Sequence, residues 1–200
     1  METHAPQLKK KRDDAAFIQS SQELDELRRQ AQAGEIELAY LDEAGFAQVH
    51  PNRSAWTPCG EQHRIDAPRG KRLNVIAALL SSGRVEHARY WCSTTAELYL
   101  GFVGDLAKKV KKVKKKLVVV IDNASVHGAQ KIQGGIKLLE EQGVVFKFLP
   151  PYSPELNRIE VLWRLMKHHW LALKRRTEAE LEQAIDHVFE NFGTQFKMDF

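Results

Sequence analysis

The sequence predicts an α/β fold, a mixed sheet with helices on both faces, and three observations carry that expectation. Leu117–Ile121 and Val144–Leu149 are short apolar runs bounded by turn signals. Such runs read as buried strands, parallel when a helix-length segment separates them. Leu73–Leu80 and Val85–Trp91 are joined by Ser81-Ser82-Gly83-Arg84, a hairpin signal. Between and after these strands lie segments with apolar residues at helical spacing. Early antiparallel strands followed by helix-linked parallel ones give a mixed sheet covered on both sides.

Residues 1–6 and the basic run after them offer no core. From Asp13 to Ala33 the pattern is helical, with Phe17, Leu24 and Leu27 among charges, and Gly34 ends it. Ile36, Leu38 and Tyr40 begin the first strand, expected to end at Asp42 with a turn soon afterwards at Gly45. Residues 46–64 are rich in Pro, Gly and polar groups around Trp56, which suggests an irregular hairpin. After the two hairpin strands, a helix is expected from about Thr94 to Lys112, capped by Ser93 or Thr94. It carries Leu98, Phe102, Leu106 and Val110 as its apolar positions. The strand Leu117–Asp122 follows, then the loop 123–127, a helix bearing Ile132, Ile136 and Leu139, and the Gly143 stop. Past Val144–Leu149 and the Pro150-Pro151 break, Ser153 is expected to cap a helix beginning at Pro154. Leu156, Ile159, Trp163, Met166 and Trp170 would face its core. Asn157, Glu160, Arg164 and Lys167 would share another face. Thr177 and Glu180 form a capping box for the last helix, with Leu181, Ile185, Val188 and Phe192 inward.

A chain of 200 residues suits one domain, and 43% hydrophobic with 28% charged residues is ordinary for a globular protein. The net charge of +4 is unevenly spread. Lys9–Arg12 form one basic run, Lys108–Lys116 hold seven lysines in nine residues, and Lys167, Lys174, Arg175 and Arg176 form a third group. Such runs attract polyanions, and each is equally read as solvated surface. Only Cys59 and Cys92 occur, without metal-finger spacing, so a reduced, cytoplasmic setting is expected. No apolar run is long enough to cross a membrane.

Chemistry concentrates between residues 35 and 160. Asp42 and Asp122 each follow a strand-like run, and Glu160 lies on the helix after the proline break. A carboxylate at the carboxyl end of a strand stands where open α/β sheets bind ligands. Three such groups make an all-oxygen site, suited to Mg²⁺ or Mn²⁺ and to substrate phosphate oxygens. Two such ions can clamp the attacking and leaving oxygens of a phosphoryl displacement, which points to nucleic-acid cleavage or joining. Neighbouring strand residues face opposite ways, so only one of Asp42 and Glu43 can enter the site. Asp42 is chosen, and Glu43 is read as an exposed or structural carboxylate.

YLDEAGF, VVVIDNASVH and LPPYSPELNRIEVLW resemble the three catalytic blocks of DDE transposases of the mariner-related superfamily, in particular their bacterial insertion-sequence branch. The resemblance runs from about Glu35 to the C-terminus. It implies a ribonuclease-H-like fold and metal-dependent cleavage and strand transfer of DNA. Asp42, Asp122 and Glu160 match the metal-binding triad, which would hold two Mg²⁺ or Mn²⁺ ions. Asn123, His127 and Asn157 match family positions beside it, and Arg164 and Lys167 stand on the Glu160 helix as DNA contacts or supporting side chains. His127 is either a phosphate contact or a local hydrogen-bonding residue. Arg158 stands where the family usually has proline. Family members usually carry helix-turn-helix units before the catalytic part, so residues 1–34 are expected to be a basic tail and linker helix, and 35–200 the catalytic domain. The implied partners are element-end and target DNA, an upstream DNA-binding part or another transposase copy, and a second copy of the chain when active. The setting would be a bacterial cytoplasm, at the nucleoid when DNA is bound. The competing reading is an inactive remnant that binds DNA or a full-length relative, and a third is a nuclease with another task.

Overall fold

The structure is a computed structural model that describes residues 12–49, 58–61, 70–122, 130–172 and 174–198. Helix α1 (Asp14–Gln32) is the first element among the described residues, with the Asp13 carboxylate accepting from the N–H groups of Ala15 and Ala16. Strands β1 (Ile36–Ala47), β2 (Arg72–Leu80) and β3 (Val85–Tyr90) follow, then α2 (Ala96–Lys112), β4 (Lys116–Ile121), α3 (Gln130–Glu141) and β5 (Val145–Phe148). A single 3-10 turn, Pro154–Leu156, leads to α4 (Ile159–Leu165), which widens into a π turn at Met166–Trp170. Helix α5 (Glu178–Glu190) is the last element.

The five strands lie in the order β3-β2-β1-β4-β5. β1 pairs antiparallel with β2 and parallel with β4, and β4 pairs parallel with β5. Each face has its own core. On one, Leu38, Tyr40, Phe46, Val75, Val118 and Val120 pack against Leu24 of α1, Ile159, Leu162 and Trp163 of α4, and Leu181 and Ile185 of α5. On the other, Leu41, Ile76, Val119 and Ile121 pack against Tyr99, Val103, Leu106 and Val110 of α2 and Leu139 of α3. The expected mixed sheet with helices on both faces is therefore present. Leu117 to Ile121 are all buried because β4 is central and covered on both sides, which is why that stretch has no polar alternation.

Several expectations change. β1 does not turn at Gly45; it runs on to Ala47, paired with β2 throughout. Phe46 and Ala47 therefore leave the expected hairpin region, of which 50–57 and 62–64 lie outside the described residues. The N-cap of α2 is Thr95, whose hydroxyl accepts from Leu98 N–H, and not Ser93 or Thr94. Three consecutive hydroxyl residues could each cap the helix, and burial of Tyr99, Val103, Leu106 and Val110 selects the register. The helix expected from Pro154 is broken. Asn157 is extended (φ −93°, ψ 99°), and α4 begins only at Ile159. The Ser153 hydroxyl caps nothing and donates instead to the Pro151 carbonyl. The capping box of Thr177 and Glu180 is formed as expected.

Candidate active site

The parallel register of β1 and β4 reaches Tyr40 opposite Val120, and β4 ends at Ile121. Carried two residues further, it sets Asp42 beside Asp122. β1 therefore loses its parallel neighbour at the level of Asp42 while keeping β2, where Asp42 faces Ala77. The carbonyl of Leu41, left without a strand partner on that side, accepts from the Asn157 side-chain amide at 3.4 Å. That contact brings the start of α4, and with it Glu160, over the end of β4.

Asp42 is half-buried on the α4 side of the sheet. Its Oδ2 accepts from the indole N–H of Trp163 at 3.1 Å, and the Glu43 backbone N–H also supports the carboxylate. Burial, foremost, together with the charges of Glu160 and Asp122, nonetheless pushes the Asp42 carboxyl up to about 7. Burial also raises Glu160, with Lys167 opposing and Asp122 adding to the rise. The three expected acids are thus electrostatic neighbours. Among the described residues no three His, Cys, Asp or Glu side chains are gathered closely enough to hold a metal ion, so the acids form a common field rather than a closed cage. Glu43 is exposed and, by strand alternation, belongs to the opposite face.

Lys167 is half-buried with its ammonium 5.4 Å from the Phe46 ring centroid. Burial and Arg72 lower its pKa, against the pull of Glu160 and Asp42. Arg164 is exposed. Asn157 does not share their surface as expected: it is 2% exposed, and its Oδ1 has no partner among the described residues. Arg158 caps α4 with φ −57°, a value proline would also adopt, so the backbone tolerates either residue. Asn123 and His127 lie outside the described residues.

Three residues here escaped the sequence reading. Trp163 was expected in the core, and it is, but its N–H is spent on Asp42. Tyr99 rises from α2 on the opposite face. Its buried hydroxyl has no partner among the described residues, and burial followed by the charges of Asp42, Asp122 and Glu43 pushes the phenol upward. Arg72 comes from the β2 start. A glycine inside a strand, Gly45, was the available sign of a close approach there.

The DDE superfamily endonuclease model matches residues 37–182. The insertion element IS630 uncharacterized 39 kDa protein of Shigella sonnei is 25% identical over 132 residues, which are 64% of this chain and 36% of that protein. The chain spans about a third of the length of the curated relatives it matches. The Mos1 mariner paired end complex with Mn superposes with a TM-score of 0.66 at 17% identity, covering 98% of this chain and 61% of that one. The catalytic domain of Mos1 mariner transposase superposes with a TM-score of 0.60 at 16% identity, covering 94% and 85%. The shared fold is ribonuclease-H-like.

Proposed function

The chain belongs to the DDE superfamily endonucleases, and from that premise we propose that it is the catalytic part of an insertion-sequence transposase, cutting DNA strands and joining them to a target. One observation supports the assignment to these residues: the charges of Glu160 and Asp122 raise Asp42, and that of Asp122 raises Glu160, where β4 ends and β1 continues. Such mutual repulsion in a half-buried place costs stability unless cations neutralise it.

The donor set fits a divalent metal. Carboxylate oxygens are hard ligands, and the raised Asp42 and Glu160 have a burial cost that a cation would offset. Asp42, Asp122 and Glu160 would hold two Mg²⁺ or Mn²⁺ ions. When bound, these would supply Lewis-acid polarisation of the phosphate and an activated attacking oxygen. The related Mos1 paired-end complexes contain Mn, Mg or the left transposon end, in keeping with both partners. Trp163 orients Asp42 through its N–H, and Asn157 fixes the start of α4 to β1, so the carboxylates are held by packed elements. Lys167 places a cation beside Glu160, suited to a phosphate oxygen of the DNA backbone. Residues 1–34 would connect this part to a sequence-reading module, and DNA-bound activity would require two copies.

The test is nicking of a supercoiled plasmid. Cleavage is expected with Mg²⁺ or Mn²⁺ and not with chelator, and Asp122→Asn should abolish it while DNA binding persists. Undiminished Mg²⁺-dependent cleavage by that variant would defeat the assignment.

A further inference from the structure

Gly45 lies inside β1, opposite Asn74, in the antiparallel pairing with β2. A Cβ built there would stand 1.3 Å from Arg72 Nε, 2.1 Å from Cζ and 2.3 Å from Nη2. The guanidinium thus occupies the space that any side chain at position 45 would need. Arg72 starts β2 opposite Ala47. Its side chain therefore leans back along β1, from the level of residue 47 to that of residue 45, on the face that alternation gives to Glu43 and at the same end of the sheet as the three acids.

This placement runs against the habits of an arginine at a strand end. Arg72 is exposed, and an exposed arginine ordinarily extends into water. No ion pair among the described residues holds it over the glycine. Moreover its charge converges on Lys167, which it destabilises in the protonated form while Glu160 and Asp42 act oppositely. Two cations within each other's field at the end of the sheet that carries the acids, with the glycine cleared for one of them, suit a surface completed by a polyanion. A guanidinium presents a planar fork of donors that matches two phosphate oxygens, which an ammonium cannot do.

We infer that Arg72 is a phosphate-binding residue for the DNA backbone entering the three-acid end, and that Gly45 is required there because its missing Cβ lets the guanidinium lie along β1. The inference rests on the DNA-cleaving function proposed above. It assigns Gly45 a role other than turning the chain.

The experiment titrates the full chain into a fluorescein-labelled duplex of arbitrary sequence over a series of salt concentrations, with Mg²⁺ nicking of a plasmid measured in parallel. Arg72→Ala should weaken binding roughly 3- to 10-fold at low salt and reduce the log–log salt slope by about 0.9, one phosphate contact. Gly45→Ala should lose as much although Arg72 is intact, because the clashing atoms are the far end of a flexible side chain and will swing away. The double variant should bind no worse than Arg72→Ala. Its melting temperature should equal or exceed that of Arg72→Ala, since alanine is no worse than glycine in a strand. Arg72→Lys should recover the salt slope and only part of the affinity. Unchanged binding by Arg72→Ala would overturn the inference, as would wild-type binding by a folded Gly45→Ala or additive losses in the double variant. Should Gly45→Ala fail to fold, the slopes of Arg72→Ala and Arg72→Lys decide the phosphate role alone. A wild-type chain that cuts DNA while Arg72→Ala binds normally sinks only this inference. A wild-type chain that neither binds nor cuts sinks the proposed function with it.

Discussion

Replacing Asp42 by asparagine should favour the metal-free folded protein more at alkaline pH than in acid. The carboxyl is pushed up to about 7 from 3.8, chiefly by burial and then by Glu160 and Asp122. The folded chain therefore keeps this proton at pH values where the unfolded chain has released it. Stability then falls as pH rises from the unfolded value near 4 to the folded value near 7, and is level beyond. Between about pH 5 and about pH 7 lie two pH units, or roughly 3 kcal/mol. Asp42 keeps some contact with solvent, so about half of that is expected, ~1–1.5 kcal/mol.

Asparagine keeps the shape but offers one acceptor where the carboxylate offers two to Trp163 and Glu43 N–H. The part of that loss that depends on ionisation is already contained in the folded value near 7, and the remainder cancels when the variant-minus-wild-type difference is compared between two pH values. Urea unfolding at about pH 5 and about pH 8 should show Asp42→Asn gaining ~1–1.5 kcal/mol between them, or roughly 3–5 °C in melting temperature for a chain of this size. Saturating Mg²⁺ should reverse the order, because ligand binding to the folded state stabilises the wild type more. A difference that is the same at both pH values would refute a buried, repelled Asp42 carboxylate.

Two further outcomes follow from single contacts. Trp163→Phe keeps the edge-on packing against Phe46, whose ring centroid is 6.0 Å away, but removes the donor to Asp42. It should cost about 1.5–3 kcal/mol in chemical unfolding, and more at about pH 8 than at about pH 5, because the bond favours the ionised carboxylate. Lys111→Gln with Lys112→Gln removes two exposed lysines at the α2 end, sparing Lys109, which pairs with Glu86, and Lys108, which pairs with Asp105. If the lysine run faces DNA, the salt slope of binding should drop by up to about 0.9 per lysine; an unchanged slope would mark the run as a solvated helix end.

How far the site could be read from the sequence depended on whether the deciding contact was local. The β4 run into Asp122 was legible because a strand buried on both faces is continuously apolar, and nothing distant alters that. Glu160 was legible for a different reason: Leu156, Ile159, Trp163 and Met166 do all face the core. The spacing concealed the break between them. A 3-10 turn, an extended Asn157 and a new helix keep the same residues inward as one continuous helix would. What breaks the helix is the Asn157 amide reaching Leu41 O, a partner 116 residues away in the chain. Local propensity holds no record of such a bond. Gly45 misled in the same way, since a glycine after two acids reads as a turn unless Arg72 is known to lie over it.

The position of Asp42 also explains why its strand could not end there. Were β1 to stop at Asp42, both neighbours would be lost together, and the backbone beyond would be free to move with the site. Instead β2 pairs with β1 from Ala39 to Ala47, five residues past Asp42, while β4 pairs only as far as Tyr40. One side of β1 is opened to admit Asn157, and the other keeps a full ladder of hydrogen bonds. Phe46, buried beyond the acid, packs on Trp163, which in turn holds Asp42. The residues after the acid thus support the acid's own partner. A chain break or proline placed at Ala44 should therefore harm the site as much as the fold, even though Ala44 touches no substrate: proline would remove a strand N–H on the paired side and release Phe46 from Trp163.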